Sequence, residues 1–271
     1  MPRTEADDWF ARYLLDQGNV PGEHEPDLSD RGITSRPDFL PHNTAGEQIA
    51  CEVKQFSPNS KLGRRLRQGR PISAGDKEVF GPIRNQVAEA AATLKPLAAE
   101  GLPLVAVLAN PEGAPVDLSV DHVVEALYGT AAYTLAIDPT TGGAIGDGQW
   151  ILGRDGKLTN DHQYLSAVAL MRVRAHRQDK QDEISQRLRE ADDWGDLSRP
   201  EQAGRIADAF ACAFEQGELP EGEYFWVDVI DTISETAVPL PESWFDGPND
   251  NRWRMSDEGQ FEMVRGEGRF V

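Results

Sequence analysis

Residues 47–56 read EQIACEVKQF. Ile49, Cys51 and Val53 alternate with Ala50, Glu52, Lys54 and Phe56, which is the period-two pattern of a β-strand. Glu52 and Lys54 stand two apart and therefore share one face of that strand. Ala50 and Phe56 share it with them, so the face is more than a solvated polar surface.

Upstream, PHNTAGEQ at 41–48 carries Asn43, Thr44 and Gly46, residues suited to a hairpin turn. Two further extended segments are expected near 33–40 and 22–28. The first holds Asp38, directly after Pro37. Pairing of the strands through the 41–48 turn would bring the carboxylates of Asp38 and Glu52 onto one cation, with Lys54 beside them. Hard oxygen ligands of this kind suit Mg²⁺ or Mn²⁺. His24, followed by Glu25 and Pro26, borders this region, with a surface role as its default. A helix is expected over about 4–17: Thr4 and Asp7 form a capping-box-like start, Trp9, Phe10, Tyr13 and Leu14 recur at helical spacing, and Gly18 ends the pattern.

Downstream, residues 57–75 read as an irregular loop. Lys61, Arg64, Arg65, Arg67 and Arg70 lie in it with no acidic residue between 57 and 72. A helix follows, with Pro82 in its first turn and Ile83, Val87, Ala90, Ala91 and Leu94 on one stripe, kinking near Pro96. LPLVAVLAN at 102–110 is a nearly continuous apolar run, the mark of a strand covered on both faces. Further on the pattern predicts a short helix from Ser119 through Tyr128, strands at 131–137, 149–152 and 162–173, and a hairpin turn at Asp155-Gly156. Residues 177–198 are polar with an acidic excess and form an exposed helix or a linker. A helix over 199–216 and a strand over 224–233 come next, and the last 30 residues read as irregular.

The chain has 271 residues, enough for one sizeable core with an appendage. No apolar run reaches membrane-spanning length and no signal-peptide pattern opens the chain, so a cytoplasmic location without membrane attachment is expected. Cys51 and Cys212 form no metal or redox motif. TGGAIGDG at 141–148 lacks the lysine of a phosphate-binding loop and reads as a turn. The charge is the strongest constraint on partners. Lys plus Arg is 27 against 46 Asp plus Glu, a formal net charge of −19, so any grip on a phosphate backbone must be local. The basic segment 61–70 is the place for it.

RPDF at 36–39 and CEVK at 51–54 resemble the two halves of the PD-(D/E)xK signature, and the order helix, three strands, helix, strand resembles that superfamily's αβββαβ core. The resemblance covers roughly residues 4–110. It implies an α/β restriction-endonuclease-like fold with a mixed central sheet, and a Mg²⁺- or Mn²⁺-dependent nuclease acting on DNA rather than RNA, in defence against foreign DNA or in repair. It further implies Asp38 and Glu52 as metal ligands, Lys54 as the catalytic lysine, Glu5 as an additional ligand from the first helix, and Gln86 as a polar residue contributed by the second. The nuclease-like core is expected over 1–115, with a sheet and helix extension over 116–176, the polar segment 177–198, and a C-terminal α+β extension over 199–271. Two alternatives follow from the acidity: an inactive nuclease-fold subunit with a protein partner or a homodimer, and an acidic interaction protein that mimics DNA.

Overall fold

The computed structural model describes residues 3–59, 61–68, 75–129, 132–151, 158, 161–191, 193–256 and 259–266. The chain divides into two compact units, one of residues 1–172 with 226–271 and one of residues 173–225. The C-terminal extension of the sequence reading is thus shared between them, 199–225 in the second and 226–271 in the first.

In the larger unit, helix α1 spans Glu5–Asp16, β1 Ala50–Gln55, α2 Lys61–Arg67, α3 Asp76–Val79, α4 Gly81–Leu94, β2 Leu104–Ala109, α5 Val120–Tyr128, β3 Ala132–Ile137 and β4 Ala144–Ile151. Strands β5 (Ala167–Ala175) and β6 (Glu223–Asp231) run to its boundary, and β7 (Asn251–Met255) and β8 (Phe261–Arg265) complete it. The main sheet has six strands in the order β1-β2-β5-β6-β7-β8, while β3 and β4 form a separate ribbon. β1, β2 and β5 run parallel, β7 is parallel to β6, and β8 is antiparallel to β7, so the sheet is mixed. The expected α/β class therefore stands.

Periodicity explains where the core sits. Every residue of β2 is buried, as its apolar run requires of a strand covered on both faces. Ala50, Ala106, Leu108, Val168 and Leu170 share a core with Ile83, Val87, Ala90 and Leu94 of α4. α1 packs on β1 through Ala6, Phe10, Tyr13 and Leu14. Phe10 meets Phe39 edge-on at 5.4 Å, and Tyr13 stacks on Phe245 at 6.0 Å. As Pro96 predicts, α4 gives way to a 3₁₀ turn over Lys95–Glu100.

Four expectations are corrected. Segments 22–28 and 33–40 are not strands; only isolated antiparallel bridges join Val20 to His42, Phe39 to Cys51 and His42 to Gln48. Prolines 21, 26, 37 and 41 withhold the N–H groups a ladder needs. Gly22 sits at φ +78°, and a Cβ there would meet Leu40 O at 3.1 Å, so glycine lets these two segments close on each other. The basic stretch after β1 is helix α2 rather than loop, and the last 30 residues hold the hairpin of β7 and β8. The turn expected at Asp155-Gly156 lies outside the described residues.

The smaller unit is built on α6 (His176–Arg189) and α7 (Arg199–Glu215). The polar stretch from 177 is therefore an exposed helix, not a linker. His176 N–H donates to Gly222 O at 3.1 Å, which ties the start of α6 to the segment between α7 and β6. Ile184, Ala213 and Phe225 are its only buried apolar residues among those described. No helix among the described residues is long and apolar enough to cross a membrane.

Candidate metal centre

β1 is the first strand of the sheet, so one of its edges has no strand partner among the described residues. Its amide groups on that edge are met by the 37–40 segment instead. Cys51 N–H donates to Phe39 O at 2.9 Å, and Phe39 N–H returns a bond to Cys51 O at 3.1 Å. One step further, Val53 N–H donates to Asp38 Oδ2 at 2.7 Å, the side chain standing where a neighbouring strand would offer a carbonyl. Asp38 N–H in turn donates to Glu52 Oε2 at 3.2 Å. Lys54 Nζ lies 2.7 Å from Glu52 Oε1. Asp38, Glu52 and Lys54, singled out from the sequence, are therefore joined by consecutive hydrogen bonds.

A second group closes on Asp38 from the other side. Oxygens of Asp7 and Asp38 and a ring nitrogen of His24 all lie within 4.8 Å of one another. Asp7 is held by its own helix end: its Oδ2 accepts from Thr4 N at 2.7 Å and from Thr4 Oγ1 at 2.8 Å. Ala6 N–H donates to Gln55 Oε1 at 3.1 Å, tying that first turn to the end of β1. His24 is oriented by Phe39, which it meets edge-on at 5.3 Å, and by Glu25, whose N–H donates to Asp38 O at 3.0 Å. His24 Nε2 is 3.6 Å from Asp7 Oδ2, yet it is enclosed without a hydrogen-bond partner among the described residues.

The electrostatics of the centre are unbalanced. Burial, reinforced by the charge of Asp38, pushes the Glu52 carboxyl up to about 7 even though Lys54 opposes the shift. Burial also raises Asp38, with Asp7 adding to the effect and the Val53 amide, Lys54 and His24 resisting it. Three acidic side chains thus crowd an enclosed space beside one lysine. Carboxylate oxygens and an unpartnered imidazole nitrogen converging in this way fit a divalent cation, which would relieve the mutual repulsion.

The other residues expected at the site are placed differently. Glu5 is exposed and lies outside the group, because α1 turns Ala6, Asp7 and Phe10 inward. Asp7 takes the position expected for Glu5. Gln86 is half-buried on α4 and makes none of the bonds that join Asp38, Glu52 and Lys54. On α2, Arg64 and Arg67 are exposed and bond to Asn59 O at 3.0 Å and Pro58 O at 2.8 Å, while Arg65 pairs with Glu78 at 3.3 Å. The Lys61 side chain and Arg70 lie outside the described residues. For His24 the sequence offers only a place bordering this region, with a surface role as its default. Its neighbour Pro26 and the distance of 14 residues from Asp38 left no spacing signal by which to place it.

No family model, curated protein or solved structure matches the chain.

Proposed function

We propose that this chain is a metal-dependent nuclease with a restriction-endonuclease-like core, hydrolysing phosphodiester bonds in DNA at the centre around Asp38. The observation that carries the reading is the convergence on Asp38. Glu52 bonds its amide, and Asp7 and His24 bring donor atoms to within 4.8 Å of its carboxylate and of each other. Asp38, Asp7 and His24 would hold the cation, with Glu52 adjoining. Held there, Mg²⁺ or Mn²⁺ would polarise a scissile phosphate and would lower the pKa of an attacking water.

The chain's own groups supply the rest. Lys54 has its ammonium fixed by Glu52 and can donate to a phosphate oxygen as charge builds there. Glu52, with its carboxyl near 7, can accept a proton from water close to neutral pH. The imidazole of His24 favours Mn²⁺ over Mg²⁺, since a ring nitrogen is a softer ligand than a carboxylate. Arg64 and Arg67 offer the local positive charge that a chain of net charge −19 needs to approach a phosphate backbone.

Cleavage of plasmid and single-stranded DNA in Mn²⁺ and in Mg²⁺ tests the reading, with Asp38→Ala and Lys54→Ala as controls. Mn²⁺-dependent cleavage lost in both variants supports it. The same charge of −19 favours a second reading, an inactive subunit or an acidic protein that occupies a basic partner. Absence of cleavage across metals and both DNA and RNA substrates would favour that one.

A further inference from the structure

Helix α7 carries an apolar stripe that the described residues leave partly uncovered. Ile206, Phe210 and Phe214 form one row at four-residue spacing, and Ala203, Ala207 and Ala211 form a second row beside it. Together they line an open trough of about 600 Å³. Phe214 is 71% exposed. Ala213, which borders the row of Ile206 and Phe210 on the helical wheel, is already buried.

We propose that this stripe is the contact between two copies of the chain, packed with their α7 helices parallel about a two-fold axis running along the helix direction. Such an axis sets the large row of each copy over the small row of the other, so the ridge of Ile206, Phe210 and Phe214 enters the groove left by the alanines. An antiparallel arrangement would oppose large with large.

Charge argues for the same occupant and the same direction. Arg177 stands in the first turn of α6 and Glu215 in the last turn of α7, each at the helix end where its charge is disfavoured by the helix dipole. Both are exposed, and neither has an ion-pair partner among the described residues. On a helical wheel Glu215 lies beyond the alanine row, away from the Ala213 side. In the parallel two-fold pair that edge faces α6 of the second copy. Because Gln181, one turn after Arg177 on α6, lines the same trough as Phe214 and Glu215 at the end of α7, Glu215 of each copy then approaches Arg177 of the other. Two locally disfavoured charges are relieved by one contact.

The face is modest. A helix of 17 residues is about 25 Å long, and with its neighbour it offers roughly 500 Å² per copy, at the lower limit of specific interfaces. A face of this size falls among the weak, transient contacts, so association is sought over roughly 1–100 μM. This inference is independent of the catalytic reading.

Sedimentation equilibrium of the full chain, in about 0.15 M salt to screen the net charge, tests it. The expected result is a mass rising from one chain to two across that range. Phe214→Asp should weaken association at least about 30-fold, the loss typical of a central anchor, with an unchanged circular dichroism spectrum. Arg177→Glu and Glu215→Arg should each weaken it several-fold, and the two combined should restore it. A monomer at 200 μM overturns the proposal, as does a dimer untouched by Phe214→Asp. Failure of the double exchange to restore what the single ones lose overturns the parallel arrangement.

Discussion

Replacing Glu52 by glutamine should stabilise the metal-free protein at alkaline pH and leave its stability almost unchanged at acid pH. Glu52 is 4% exposed, and its carboxyl is raised from the ordinary 4.5 to about 7, first by burial and then by Asp38. A raised acid keeps its proton in the folded state after the unfolded chain has lost its own. Between about 4.5 and 7 the native state therefore binds more protons, and stability falls as pH rises through that window. At about 1.4 kcal/mol per pH unit, the wild type loses about 2.5 kcal/mol between pH 5 and pH 8 from this group alone. Glutamine keeps an oxygen for the Asp38 amide but has no charge to bury. The assay is thermal or urea unfolding of both proteins in EDTA from pH 5 to pH 8, read as the difference between them so that other titrating groups cancel. For a domain of this size the difference should open by roughly 5–10 °C. Adding Mn²⁺ at pH 8 should close the gap by stabilising the wild type more than the variant. A difference that stays flat from pH 5 to pH 8 would refute the reasoning, because it would mean that Glu52 ionises at no cost.

Calorimetric titration with Mn²⁺ should show Asp7→Asn and His24→Ala each weakening binding more than about tenfold, while Glu5→Gln leaves it unchanged; the reverse order would put the ligand elsewhere on α1. Lys54→Ala is expected to lower the cleavage rate about a hundredfold or more while Mn²⁺ affinity holds, a split that gel-based kinetics and calorimetry read together. Arg64→Ala and Arg67→Ala should each reduce the slope of log DNA affinity against log salt by about one, measured by fluorescence anisotropy with the metal present. Away from the centre, Tyr13→Phe removes a 2.6 Å hydrogen bond to the buried carboxylate of Asp250 and should cost about 1–3 kcal/mol in urea unfolding.

The strands that carry the centre were legible because their burial is simple. β1 alternates, and β2 is apolar throughout, so period and composition point the same way. The resemblance points to Glu5, which stands four residues before Trp9 on the first helix. In the structure Trp9 is only partly buried, and the inward face runs through Ala6, Phe10, Tyr13 and Leu14. Asp7 was also masked by its second role, since an aspartate three residues after a threonine reads as a cap whether or not it does anything else. β7 was missed for a different reason. Its sequence, NRWRM, places Arg252 in the interior at 1% exposure, where Asp231, Glu242 and the carbonyls of Leu240 and Pro241 satisfy it. A strand whose buried residues are an asparagine, an arginine and one tryptophan gives little hydrophobic signal, and only its tertiary partners make it possible.

The features that break the expected strands also build the centre. Pro37 and Pro41 keep the 37–41 segment from pairing fully with β1, which leaves Val53 N–H at the sheet edge in need of an acceptor. Asp38 meets that need with Oδ2, and the bond fixes the direction of its carboxylate. A regular strand there would have offered a backbone carbonyl and sent the side chain to one face of the sheet. Because the ladder ends at Phe39, an acidic side chain occupies the edge itself, where Glu52 reaches it from β1 and Asp7 from α1. The edge is thereby closed against pairing with another chain. The same carboxylate keeps a second oxygen for a cation, so protecting the edge and assembling the donor set depend on one residue. Asp38→Asn should separate the two roles, since the amide oxygen can still accept from Val53 while its charge is gone. The fold should survive that change and the metal affinity should not.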